Sequence, residues 1–85
     1  MPKDLIQKNI KLSHELDRYI SNNPNAYRRI PKGAHIVITV TNDKKLSDAN
    51  ISLMRNSKSG QFVQAHKSRN RWVIKTLPKE KSQML

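Results

Sequence analysis

The first part of the chain has the apolar spacing of one long helix. Between Lys3 and Asn22, leucine, isoleucine and tyrosine side chains recur three and four residues apart and form a single stripe. Pro24 disfavours the helical backbone conformation of the residue before it, so the helix is expected to end near Asn22. Asn9 and Ser13 fall inside the stripe. We predict that both hydrogen-bond to a neighbouring loop or strand end, and a contact with a ligand is the alternative.

The later apolar segments predict a strand, a second helix and a hairpin. Residues 36–41 are β-branched and almost continuously apolar, which is typical of a central strand covered on both faces or of the middle position in a small sheet. Residues 45–57 return to helical spacing, and Asn42 and Asp43 stand before them as residues that can begin a turn or a cap. Residues 61–66 and 71–77 alternate with a period of two, and the four polar residues between them fit a hairpin link.

This order of elements predicts an α+β fold: helix, strand, helix, strand, strand. The helical crossover between the first two strands favours parallel, right-handed pairing, and the hairpin adds an antiparallel third strand. We expect a two-layer sandwich with a three-stranded mixed sheet and both helices on one face, formed by residues 1–77 as a single domain. Residues 78–85 are expected to form a flexible basic tail. A free sheet edge or open face would allow a homodimer.

Ten positions in residues 9–34 form a pattern that leads into the first strand. They are Asn9, Leu12, Ser13, Glu15, Tyr19, Pro24, Ile30, Pro31, Gly33 and Ala34. This pattern resembles a small prokaryotic family catalogued as a domain of unknown function. The resemblance implies the same α+β order and a prokaryotic or mobile-element cytoplasmic protein. It implies no activity, and it carries over no catalytic or binding residue.

The charge of the chain indicates the class of partner. Seventeen Lys and Arg against six Asp and Glu give the 85 residues a net charge of +11, which favours a polyanion. With no cysteine there is no disulfide and no cysteine-ligated metal, and a cytoplasmic location is expected. The apolar runs are too short for a signal peptide or a membrane span, so no membrane partner is predicted.

The basic residues form two dense groups that we predict to contact phosphates of RNA or single-stranded nucleic acid. Such contacts supply affinity without reading sequence. Strand alternation directs Trp72 away from the hairpin cations, so we place Trp72 in the core. The alternative is that those cations only face solvent and contact no nucleic acid. The predicted contact residues are Arg28, Arg29 and Lys32 in the connector between the first helix and the first strand (residues 23–35), and Lys67, Arg69, Arg71 and Lys75 around the hairpin.

Two other functions fit the same sequence. One is an interaction module that docks on an acidic protein, as in a toxin–antitoxin or phage-type accessory pair. The other is a metal-independent ribonuclease using His66 with Lys67, Arg69 and Arg71, which needs a second acid–base group that the sequence does not identify. The three histidines lack metal-ligand spacing. The leading interpretation is therefore non-enzymatic, with no catalytic residue, metal or cofactor assigned.

Overall fold

The computed structural model describes residues 2–57 and 60–77, which form three helices and one three-stranded sheet. The predicted α+β class and element order are confirmed. The connector contains an additional five-residue helix, and the predicted tail, residues 78–85, lies outside the described residues. The elements are α1 (Lys3–Asn22), α2 (Pro24–Arg28), β1 (His35–Val40), α3 (Lys44–Arg55), β2 (Phe62–Ser68) and β3 (Arg71–Leu77).

The sheet is mixed, with the strand order β1-β2-β3. β1 pairs with β2 in parallel, with Ile38 beside Ala65, as expected for two strands joined by a helical crossover. β2 pairs with β3 in antiparallel, with Ala65 opposite Ile74. β2 is therefore the central strand, and β1 and β3 are the two edges. The prediction of a central position for the first strand was wrong, because a helix rather than another strand packs along the outer edge of β1.

One face of the sheet packs against α1 and α2 and forms the main core. Side chains at alternate strand positions reach this face, where Leu16 of α1 and Ala26 of α2 cover them. Trp72 is 8% exposed within this cluster, which confirms its predicted place in the core. The strand residues of the cluster are Ile38, Val63, Ala65, Trp72 and Ile74.

α3 packs along β1 and covers part of its outer edge. The Asn50 side-chain amide donates to the Ile38 carbonyl oxygen at 2.9 Å. Ser47 Oγ accepts from the Val40 N–H at 2.8 Å and donates to the Val40 carbonyl oxygen at 3.1 Å. Serine and asparagine are poor helix formers, but here they supply the hydrogen bonds that a second neighbouring strand would otherwise give to β1.

A pair of asparagines joins α1 to α3. Asn9 Nδ2 donates to Asn50 Oδ1 at 3.0 Å, and Asn50 Nδ2 donates to Asn9 Oδ1 at 2.9 Å. The expected hydrogen bond of Asn9 therefore exists, but its partner lies in a helix rather than in a loop or strand end. Ser13 is exposed to solvent, so the prediction that it needs a protein partner was wrong.

Asp43 caps the N-terminus of α3 and also binds a lysine of α1. Its Oδ1 accepts from the Leu46 N–H at 3.1 Å, and Lys8 Nζ donates to its Oδ2 at 3.0 Å. The hydrogen bond from Lys8 and, next, the bond from the Leu46 N–H hold the pKa of the Asp43 carboxyl below its ordinary value. Of the two residues that the sequence offered for a turn or cap, Asn42 and Asp43, Asp43 is the one that caps α3.

The cap predicts a pH dependence of stability. Because the pKa of Asp43 is lower in the folded chain, the unfolded chain binds this proton more readily. The stabilising effect is complete above the ordinary aspartate pKa and is lost as the pH falls through the lowered folded-state value. Thermal unfolding between roughly pH 5 and pH 2 should therefore show a smaller decrease in Tm for Asp43→Asn than for the wild type.

The matched control for this experiment is Asp4→Asn, since Asp4 is exposed and forms no ion pair within residues 2–57 and 60–77. Its Tm should follow the wild-type pH profile. Identical profiles for Asp43→Asn and the wild type would contradict the role of the Asp43 charge.

Candidate nucleic-acid interface

The two faces of the β2–β3 hairpin differ sharply in character. Trp72 and Ile74 point into the core, whereas Arg71, Val73 and Lys75 alternate with them and are exposed on the opposite side. The residues directly across on β2 share that side because cross-strand partners lie on the same face. We call this surface the hairpin face, and it consists of Gln64, His66, Ser68, Arg71, Val73 and Lys75.

Three cations of this hairpin, Arg69, Arg71 and Lys75, lack acidic partners within the described residues. Residues 60–77 contain no Asp or Glu. In the part of the chain that the structure describes, the ion pairs involve other cations, and Arg69, Arg71 and Lys75 form none. Their charges are therefore uncompensated within that part, and they give this side of the sheet a positive potential.

The link between β2 and β3 is a two-residue turn of Arg69 and Asn70. It is shorter than the predicted four-residue link because Lys67 and Ser68 continue β2. Arg69 adopts φ 58°, in the left-handed region that a residue with a Cβ enters at a cost of about 1 kcal/mol. The turn thus places a guanidinium at the tip of the hairpin at the expense of backbone strain.

A cleft at this end of the sheet brings two arginines together. It has a volume of about 520 Å³, and its lining consists of Thr41, Asn42, Ser68, Arg69 and Arg71. Guanidinium, hydroxyl and amide groups are the donors that proteins commonly direct at phosphate oxygens. We call this the turn cleft. Its chemistry suits an anion that accepts several hydrogen bonds.

His66 is held by hydroxyl groups at both ring nitrogens. Its Nδ1 lies 2.6 Å from Oγ1 of the buried Thr39, and its Nε2 lies 2.9 Å from Thr41 Oγ1. The Gln64 amide donates to Thr39 Oγ1 at 2.9 Å. All of these bonds are satisfied when Thr39 donates to Nδ1 and the Nε2–H donates to Thr41. Both ring nitrogens of His66 are thus engaged by protein groups.

Lys67 is separated from the other cations of the hairpin. It projects to the α1 side of the sheet, where its ammonium forms an ion pair with Glu15. Its Nζ also lies 5.9 Å from the centre of a Trp72 ring, within the range of a cation–π contact. Lys67 therefore has a packing environment of its own and does not belong to the hairpin face.

The connector cations also lie on the α1 side of the sheet. Arg28 ends α2, Arg29 follows it, and Lys32 stands in the next turn; all three are exposed. Ile30 and Ala34, which stand on either side of Lys32 in the chain, are partly buried against the core cluster that contains Leu16 of α1. The structure places Arg69 and Arg71 in one cleft and Lys75 on the same face of β3 as Arg71, but it leaves the connector group on the other side of the sheet.

The described residues hold neither a cluster of three metal-ligating side chains nor a helix long and apolar enough to cross a membrane.

Comparison with known proteins identifies the family. Neither the curated proteins nor the solved structures include a match to this chain. One family model, described as a family of unknown function (DUF5647), matches residues 4–79. This match extends the resemblance seen in residues 9–34 across α3 and the hairpin, so the chain belongs to the DUF5647 family.

Proposed function

We propose that this protein binds RNA or other single-stranded nucleic acid through phosphate contacts made by the turn cleft and the hairpin face. One observation carries the proposal. Arg69 and Arg71 line the same cleft as two hydroxyl groups and an amide, in a hairpin without acidic residues. Proteins of this kind gain affinity by releasing the counterions condensed on the nucleic acid.

The spacing of the cations suits an extended polyanion. Arg71 and Lys75 are four residues apart on one face of β3, which corresponds to about 13 Å along a strand. Arg69 extends this row beyond the turn. A nucleic-acid backbone lying along the hairpin therefore meets three cations in succession, and Val73, which is exposed between Arg71 and Lys75, offers apolar contact.

The remaining basic residues lie outside the turn cleft and the hairpin face. Arg28, Arg29 and Lys32 form a separate contact region, which only a strand that passes around the domain would reach. Lys67 supports Trp72 and the hairpin instead of contacting phosphate, since Glu15 already neutralises it.

Binding without cleavage is the better-supported activity. A histidine that acts as a general base needs a ring nitrogen within reach of the substrate proton. In His66 both nitrogens are bonded to threonine hydroxyls, and Lys67, one of its proposed partners in catalysis, projects to the opposite side of the sheet. These contacts make His66 part of the surface that supports the hairpin face.

The test measures the affinity for labelled single-stranded RNA and DNA by fluorescence anisotropy in roughly 50 mM salt. Arg69→Glu/Arg71→Glu should weaken binding by more than about tenfold, to a similar extent for different sequences. The slope of log affinity against log salt should also become shallower by about 0.7 for each phosphate that the variant fails to neutralise.

A matched control is Lys11→Glu/Lys45→Glu, which makes the same change in net charge at exposed positions on α1 and α3. It should retain most of the affinity, because only the long-range attraction is reduced. The proposal fails if the wild type binds neither nucleic acid at low salt, or if the two double variants lose the same affinity. Binding of an acidic protein in the first case would favour the docking alternative.

Arg69→Gly distinguishes a loss of RNA binding from a loss of folding. Glycine adopts the positive φ of this turn without strain, so the variant should unfold at a Tm equal to or above that of the wild type. Loss of the guanidinium should nevertheless weaken RNA binding. Unchanged affinity in this variant would remove Arg69 from the interface.

A further inference from the structure

We propose that the chain forms a homodimer in which the outer side of α1 packs antiparallel against α1 of a second copy, with the twofold axis near Ile10. This goes beyond the proposed nucleic-acid binding and uses none of its residues. It also differs from the sheet-mediated dimers that the sequence suggested, because a helix surface makes the contact.

The first observation is a concentrated apolar patch. Three of the six large hydrophobic side chains that are exposed in the described residues line one groove between α1 and α3. Ile6 is 46% exposed, Ile10 55% and Leu53 58%. The groove has a volume of about 510 Å³. A contiguous apolar patch of this kind on a small soluble domain marks an interaction surface.

The second observation identifies a second copy as the partner. On a helix with 100° per residue, Lys3, Ile6, Ile10 and Asp17 lie within about 60° of one another, so the two charges stand at opposite ends of the apolar stripe. Neither Lys3 nor Asp17 has an ion-pair partner within residues 2–57 and 60–77.

Antiparallel pairing makes this stripe complementary to itself. When Ile10 faces Ile10 of the second copy, Lys3 is seven residues to one side of the axis and faces Asp17 of the second copy, which is seven residues to the other side. The twofold symmetry repeats this ion pair, so the interface has two. The Leu53 side chain of each copy then borders the paired helices and covers apolar surface beside them.

The distribution of charge permits this contact despite the net charge of +11. Residues 1–22 hold four basic and three acidic side chains and are almost neutral. Both basic groups lie outside α1, and charges farther apart than about 8 Å are largely screened at physiological salt. Self-pairing along β3 would instead place Arg71 and Lys75 against the same cations of the second copy.

The test measures molar mass by sedimentation equilibrium over a concentration series in roughly 0.3 M salt, which screens the general repulsion. The wild type should reach the mass of a dimer. Ile10→Asp places a charge at the axis and should raise the dimer dissociation constant by at least about tenfold. Tyr27→Asp is the matched control, because Tyr27 is 66% exposed outside the groove, and it should dimerise like the wild type.

Exchange of charges tests the antiparallel register. Lys3→Asp and Asp17→Lys should each weaken the dimer, because each creates two like-charge contacts. Combining the two substitutions restores opposite charges across the axis, so the double variant should recover dimerisation. A wild type that stays monomeric throughout the series would overturn the proposal, and so would a double variant no better than the single ones.

Discussion

Trp72→Ala is expected to lower the free energy of unfolding by about 3–5 kcal/mol, the usual cost of removing a buried tryptophan side chain. The indole is 8% exposed and packs within the core cluster that contains Leu16 and Ile74. A domain of this size is stabilised by roughly 4–13 kcal/mol in total. The variant should therefore lose a large fraction of its stability, and urea denaturation followed by circular dichroism should show a much lower unfolding midpoint than in the wild type.

Two variants show whether the destabilisation arises from core packing. Trp72→Phe keeps an aromatic ring in the core and should retain more than half of the stability that Trp72→Ala loses. Tyr27→Ala removes an aromatic ring of which 66% is exposed, and it should cost less than about 1 kcal/mol. If Trp72→Ala cost no more than Tyr27→Ala, the indole would not be the centre of the core.

Asn50→Ala is expected to lower the free energy of unfolding by about 2–4 kcal/mol. The side-chain amide of Asn50 is buried and bonds to the Asn9 amide and to the Ile38 carbonyl oxygen. Removing the Asn50 side chain leaves the Ile38 carbonyl oxygen and the Asn9 side-chain amide without these hydrogen bonds. At about 4–8 °C per kcal/mol, thermal unfolding should shift downward by more than about 8 °C.

Asn50→Leu distinguishes the effect of the hydrogen bonds from the effect of side-chain volume. Leucine has a similar size but neither donates nor accepts, so this variant should be destabilised about as much as Asn50→Ala. Asn25→Ala, at an exposed position in α2, should change stability by less than about 0.5 kcal/mol. Wild-type stability in Asn50→Leu would mean that the site needs only to be filled.

Local signals in the sequence predicted most of the fold. The helix α1 begins and ends where its apolar stripe and Pro24 require, and Asp43 caps α3 as its position indicates. The predicted link between β2 and β3 was two residues too long, because an arginine gives no sign in the sequence that it will adopt the positive φ of a two-residue turn. The backbone adopts this value because the pairing of β2 with β3 continues to Ser68 opposite Arg71.

The candidate interface was only partly predictable. The sequence identifies which residues are positive, but the side of the sheet on which a cation lies depends on register and on distant partners. Lys67 is held by Glu15, which is far away in the chain, and could not be separated from Arg69 and Arg71 by composition. The support of His66 by Thr39 and Thr41 was missed because threonines in an apolar segment indicate only a strand.

β3 is an edge strand, and its positive side chains oppose aggregation through that edge. Among the described residues no strand pairs with its outer side, and unpaired edges tend to recruit further strands. Arg71 and Lys75 on this strand oppose such addition because identical strands would bring like charges together. A polyanion that neutralises them removes this protection. Free protein should therefore stay dispersed, whereas protein saturated with polyanion at low salt becomes liable to aggregate edge to edge.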